Sequence, residues 1–217
     1  MNNIKTREQW LLERKTGIGA SEASAIVGAS PYKSNITLWE EKTGRREPGD
    51  IGGKEYVQRG IAAEPFLRHL FALDYPQYKV GYDEFDLIRN KDYPFIFATL
   101  DGKLTDLNTY ECGVLEIKKA ELNNMAQRMK WSGKTIPQNY YIQVIHQLLA
   151  TGWGYAYLKA KLISTDENNE IKAEIRHIKI LRKNVESDID YLLDKEIKFW
   201  EYVTSGKRPP LVLPDIG

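Results

Sequence analysis

The sequence predicts an α/β domain in which one mixed sheet is flanked by helices. Apolar residues recur at helical spacing in the first third, at 138–151 and at 183–204. Aromatic and β-branched residues crowd 79–89, 95–105, 112–118, 153–164 and 171–181. The resulting order is helices, three strands, helices, two strands, helix, which suits a single layered sheet. The chain has 217 residues, enough for one sizeable core. No repeat, low-complexity tract or linker divides it, so residues 1–217 read as one domain.

Each element has a local reason. Residues 5–15 set Trp10, Leu11 and Leu12 among charges as a helix. The glycine-rich turn GIGAS follows, and Ser21 stands as N-cap for a helix over Glu22–Val27. Asn35 is the expected cap of ITLWEEKTG, which stops near Gly44. Residues 56–74 are helical, with Pro65 expected to kink the run or start a new turn. Three strands come next. Helices follow around 121–131 and over 138–151, the latter with Tyr141, Val144, Ile145, Leu148 and Leu149 on one face. DENN (166–169) is a turn between the last two strands, and Gly206 ends the final helix.

Composition narrows the function classes. With 42% hydrophobic and 28% charged residues, the chain is neither disordered, fibrous nor a membrane protein. The single cysteine, Cys112, excludes an intramolecular disulfide, a cysteine zinc site and an iron–sulfur cluster. The opening MNNIKTREQWLLERK has no apolar run for a signal peptide. No stretch approaches the roughly 18–20 apolar residues of a membrane span. A cytoplasmic location is the expectation. The net charge of +1 means that any nucleic-acid binding must rest on local charge. One such concentration is Lys118, Lys119, Arg128, Lys130 and Lys134 against Glu121, on what reads as a helix face.

The segment FIFATLDGKLTDLNTYECGVLEIKKA carries the chemistry. If 95–104 and 112–118 pair as an antiparallel hairpin centred between Asn108 and Thr109, Asp101 lies opposite Glu116. Opposed residues share a face of the sheet, with Cβ atoms about 4.5–5.5 Å apart. Lys118, two residues on, shares that face, while Leu115 and Ile117 point into the core. Two adjacent carboxylates repel unless compensated. A hard divalent cation such as Mg²⁺ or Mn²⁺ would compensate them. A surface hairpin with a simple Glu116–Lys118 charge balance is the plainer reading of the same spacing, and a one-residue slip would separate the acids.

The pattern Asp101, then Glu116-Ile117-Lys118, resembles the PD-(D/E)xK nuclease motif. Its surroundings sharpen the resemblance. WLLERKTGIGASEASAIVG (10–28), RGIAAEP (59–65), ATLDG (98–102), GVLEIKKA (113–120) and YYIQVIHQLLATG (140–152) follow the block order of the phage-type recombination exonucleases, the lambda-exonuclease or YqaJ-like family. The resemblance covers roughly residues 8–205. It implies a restriction-endonuclease-like core. It also implies Asp101, Glu116 and the Ile117 carbonyl as ligands of one or two Mg²⁺ or Mn²⁺ ions, with Glu64 as a further acid. Lys118 becomes the catalytic lysine that positions or deprotonates the attacking water. Arg14 and Ser21 match residues holding a terminal DNA phosphate. Gln143, Trp10 and Thr99 match positions beside the centre. Two departures stand out. Leu100 replaces the usual proline, and Ile145 replaces a second glutamine two residues after Gln143, which puts any role for that second glutamine in doubt. His146 and His177 read as satisfied or exposed histidines, since the site needs oxygen donors.

The implied activity is 5′-to-3′ exonucleolytic hydrolysis of linear duplex DNA in phage-type recombination. The implied assembly is a homotrimer ring, and a single-strand annealing protein is the implied partner. Other readings are a nicking or structure-specific endonuclease of the same superfamily, a non-catalytic DNA-end-binding module, and an α/β interaction protein without metal binding. A RecB- or Cas4-type cluster enzyme is disfavoured by the single cysteine.

Overall fold

A computed structural model describes residues 6–49, 53–133, 135–166 and 168–213. Helix α1 (Arg7–Arg14) is opened by a capping box between Thr6 and Gln9. The chain then runs through β1 (Ile18–Gly19) into α2 (Ala20–Ile26) and α3 (Asn35–Lys42). Gly17 is required there, because a Cβ would stand 2.1 Å from the Phe95 carbonyl oxygen. The caps differ from those expected. Gly19 caps α2, with the Glu22 side chain accepting from its N–H at 2.8 Å, and Ser21 lies inside the helix. Ser34 caps α3. Asn35 is released to tie down the C-terminal segment, donating to the Pro210 carbonyl and accepting from Val212 N–H.

Helix α4 (Glu55–Asp74) continues through Pro65 rather than breaking. Pro65 and Ile61 lie on the exposed side, where the carbonyl freed by the missing N–H can face water. Strands β2 (Tyr78–Gly81), β3 (Ile88–Arg89), β4 (Ile96–Ala98), β5 (Gly102–Asp106) and β6 (Cys112–Glu121) follow. Next come α5 (Met125–Met129) and α6 (Gln138–Thr151), then β7 (Tyr155–Thr165) and β8 (Ile171–Leu181). A 3-10 turn over Arg182–Asn184 leads into α7 (Glu186–Ser205). Gly152 and Gly206 end α6 and α7 in left-handed conformation. In the DENN turn Asp166 accepts from Asn168 and Glu170 N–H; residue 167 lies outside the described residues.

Two sheets form, where one was expected. The larger has the order β2-β5-β6-β7-β8 and is mixed, with only β6 and β7 parallel. The smaller has the order β1-β4-β3. The predicted strand 79–89 splits because Phe85, at φ 62°, turns the chain between β2 and β3. The predicted strand 95–105 splits because Thr99, Leu100 and Asp101 carry the chain from one sheet to the other.

Both faces of the large sheet are covered. Val114 of β6 packs with α2, α6 and α7 on one side. Leu115 and Ile117 pack with Leu67 and Phe71 of α4 on the other. The side chains that alternate with Leu115 and Ile117 therefore meet α6 rather than solvent. The basic concentration is not one helix face either. Lys118 and Lys119 lie on β6, and Arg128 of α5 donates to the Thr165 carbonyl; Lys134 lies outside the described residues.

Candidate functional site

The β5–β6 hairpin pairs Gly102 with Leu115 and Thr105 with Cys112, so it is centred between Asn108 and Thr109. Asp106 organises the turn by accepting from Asn108 and Thr109 N–H. Extending the register by one residue sets Asp101 opposite Glu116. Asp101 has just left the ladder, and its side chain replaces the lost backbone partner. Ile117 N–H donates to Asp101 Oδ2 at 2.7 Å, and Arg68 of α4 donates to the Asp101 carbonyl. In a strand the N–H and C=O of one residue point the same way, so the Ile117 carbonyl opens toward Asp101.

Glu116 is only 1% exposed. A buried carboxylate needs donors, and three side chains supply them. Lys118 Nζ lies 2.5 Å from Oε1. Gln143 of α6 donates to Oε1 at 2.7 Å, and Gln147, one turn further, donates to Oε2. The surface-hairpin reading fails here, because a charge balance at the surface would not bury the acid beneath a helix.

The charges at this spot are unequal. Burial pushes Asp101 well above its ordinary range, and the neighbouring Glu116 pushes it further. Glu64 of α4 is raised by burial and again by Glu116. Burial would lower Lys118, but Glu116 and Asp101 outweigh it and hold Lys118 as an ammonium. Three acids thus crowd one lysine, and the surplus negative charge suits a divalent cation. The donors are hard oxygens, which fit Mg²⁺ or Mn²⁺. Among the described residues no three acid, His or Cys side chains are yet drawn together as ligands of one ion. Glu64 is joined to the other two acids by charge alone.

Residues 9–154 match the model of the YqaJ-like viral recombinase domain. The chain belongs to this family. The match runs from α1 to the end of α6 and contains every candidate site residue. Over 216 residues the chain is 31% identical to YqaJ of Bacillus subtilis (strain 168), covering 97% of this chain but 60% of that protein's length. Its fold is similar to the alkaline exonuclease LHK-Exo of Laribacter hongkongensis (TM-score 0.64, 18% identity, 92% of this chain and 93% of that one). It is also similar to a phage-related exonuclease of Haemophilus somnus 129PT (TM-score 0.54, 13% identity, 88% and 96%).

In this YqaJ-like domain the remaining candidates gather separately. Arg14 Nη2 donates to Ser21 Oγ at 3.4 Å and its guanidinium lies 4.8 Å from the Trp10 ring centroid. Trp10 leans on Phe85 with ring centroids 5.8 Å apart, and its buried Nε1 has no hydrogen-bond partner among the described residues. Beneath them Lys42 Nζ lies 2.8 Å from Glu22 Oε2 and donates to the Arg14 carbonyl at 2.9 Å. Thr99 is half-buried, two residues before Asp101.

Five neighbours of these two groups escaped the sequence reading: Arg68, Gln147, Tyr140, Glu22 and Lys42. Tyr140 packs its ring 5.3 Å from Lys118 Nζ. Gln147 was findable, since four residues after Gln143 is one helical turn. Arg68 and Lys42 left no local signal. His146 is a satisfied core histidine, as expected. Its Nδ1 meets Glu196 Oε1 at 2.6 Å and its Nε2 meets the Phe97 carbonyl at 2.9 Å.

Proposed function

We propose that this protein is a divalent-metal-dependent deoxyribonuclease that digests linear duplex DNA from its ends. The observation that carries this reading is the Asp101–Glu116–Lys118 group, built around the buried Glu116, with its excess of carboxylate over ammonium. Asp101, Glu116 and the Ile117 carbonyl would hold Mg²⁺ or Mn²⁺, with Glu64 as an outer acid. A bound ion would polarise the phosphate and lower the pKa of water. The chain's own residues do the rest. Gln143 orients Glu116. Lys118, held as a cation by its two acids, positions the nucleophilic water and offsets negative charge growing on the phosphate. That cationic state favours positioning over proton abstraction.

The second group suits an end anchor. Arg14 presents a planar fork for phosphate, and Ser21 lies within its reach. Trp10 and Thr99 would line the path between the two groups. An anchor for a terminal phosphate favours an exonuclease over a nicking enzyme or a passive end-binding module. The resemblance to phage-type recombination exonucleases extends this proposal to 5′-to-3′ polarity, a role in phage-type recombination inside the bacterial cytoplasm, a homotrimer ring and a single-strand annealing partner. We read residues 1–217 as one nuclease domain. Among the described residues no helix is long and apolar enough to cross a membrane.

The test is digestion of end-labelled linear duplex with Mg²⁺, with and without 5′-phosphate, beside a covalently closed circle. Loss of the 5′ label from linear DNA, faster on phosphorylated ends, with the circle intact, is expected. Nicking of the circle would replace the exonuclease reading with the endonuclease one. Binding without metal-dependent hydrolysis would leave an end-binding module.

A further inference from the structure

We propose that Gln147 is a positioning residue that fixes the inner oxygen of Glu116, so that α6 holds this carboxylate by two amides one helical turn apart. The inference rests on the nuclease reading above for its consequence and on geometry for its existence. Gln143 and Gln147 stand at i and i+4 and so project from the same face of α6. Gln143 Nε2 takes Glu116 Oε1, and Gln147 Nε2 takes Oε2. A carboxylate gripped at both oxygens can neither rotate nor retreat, which a single donor would permit.

Gln147 itself is 0% exposed, and its own Oε1 is buried with no partner among the described residues. An orphaned buried acceptor costs stability. A methionine would fill the same volume without that cost, but would leave Glu116 Oε2 without its donor. The amide is therefore poorly explained by packing. It is explained if Glu116, itself only 1% exposed, must stay fixed in one orientation. Partners that orient a metal ligand typically change affinity or rate by about 10- to 100-fold when removed.

The experiment compares wild type with Gln147→Met in three measurements. Mn²⁺ binding to DNA-free protein, followed calorimetrically, should weaken about 10-fold or more. The digestion rate at saturating DNA should fall by about 10- to 100-fold while KM for DNA stays within about two-fold. The unfolding midpoint should change little, because the orphaned Gln147 acceptor and the donor to Glu116 Oε2 are lost together. In wild type, the ¹⁵N-labelled Gln147 side-chain amide should exchange slowly with solvent, and faster in Glu116→Gln. Should Gln147→Met not fold, Gln147→Asn, which withdraws the amide by one methylene, takes its place, and the wild-type exchange measurement needs no variant. Wild-type Mn²⁺ affinity and turnover in the variant would overturn the clamp while leaving the nuclease reading intact. Free exchange of the Gln147 amide would overturn it too. A wild type that binds Mn²⁺ but never digests DNA defeats the nuclease reading alone.

Discussion

Glu22 and Asp101 are both half-buried carboxylates that accept a backbone N–H, yet the protein treats them oppositely. Burial raises each. Beside Glu22, the Lys42 ammonium and the Arg14 guanidinium outweigh that burial and hold its pKa below the usual range. Beside Asp101, another carboxylate, Glu116, adds to the effect of burial and outweighs Lys118, and the pKa of Asp101 rises well above the usual range. The first region is electrostatically complete, and its task is to hold α1, α2 and α3 together. The second carries unbalanced charge, and imbalance of this kind marks sites that await a cation or a substrate.

The sharpest way to break this contrast is substitution at each pole. Asp101→Asn, Glu116→Gln or Lys118→Ala should lower DNA digestion by about 10²- to 10³-fold or more. A Lys118→Ala protein digesting linear duplex at the wild-type rate would remove this group from the chemistry. In chelator, Asp101→Asn should also raise the thermal midpoint, since it removes a repelled charge. By contrast, Lys42→Met should cost up to about 3–5 kcal/mol of stability, because it strands Glu22 without its partner. Chemical denaturation measures this, and a loss under about 1 kcal/mol would mean that Glu22 is not held as described.

A smaller effect is expected at the rim. Arg14→Ala should remove one charged phosphate contact, worth about 1.5–3 kcal/mol. Digestion of 5′-phosphorylated ends should therefore slow by roughly 10- to 100-fold, with little change on unphosphorylated ends. Equal loss on both ends would assign Arg14 to the fold alone.

The smallest effects lie in the pH dependence of metal-free stability, where the two acids act with opposite sign. Glu22 has a depressed folded pKa, so its contribution is present above the unfolded carboxylate range and is lost as pH falls through the folded value. Asp101 has a raised folded pKa. The folded state then holds the extra proton, and stability declines as pH rises from the unfolded value through the folded one. Glu22→Gln should flatten the acid limb of the stability profile, and Asp101→Asn should flatten the decline above it. Parallel profiles for wild type and both variants would contradict the comparison.

Much of the site was legible because strand geometry is local. A hairpin centre between Asn108 and Thr109 was enough to set Asp101 against Glu116 and to place Lys118 beside it. Sequence placed the helices at 138–151 and 183–204 and the strands at 153–164 and 171–181 within a few residues. It misjudged what depends on distant partners. Ser21 and Asn35 are good caps by type, but Gly19 and Ser34 hold those positions. Asn35 is instead taken up by Pro210 and Val212, far along the chain.

The sequence by itself determined the alternation that gathers Asp101, Glu116 and Lys118, because a period of two and a turn centre need no other part of the molecule. Only the tertiary structure decided that strand 95–105 divides between two sheets, that α6 covers Glu116, and that Lys42 sits under Arg14. Those outcomes arise from contacts between residues far apart in the chain. Burial and charge, which set the fate of each carboxylate, exist only once those residues have met.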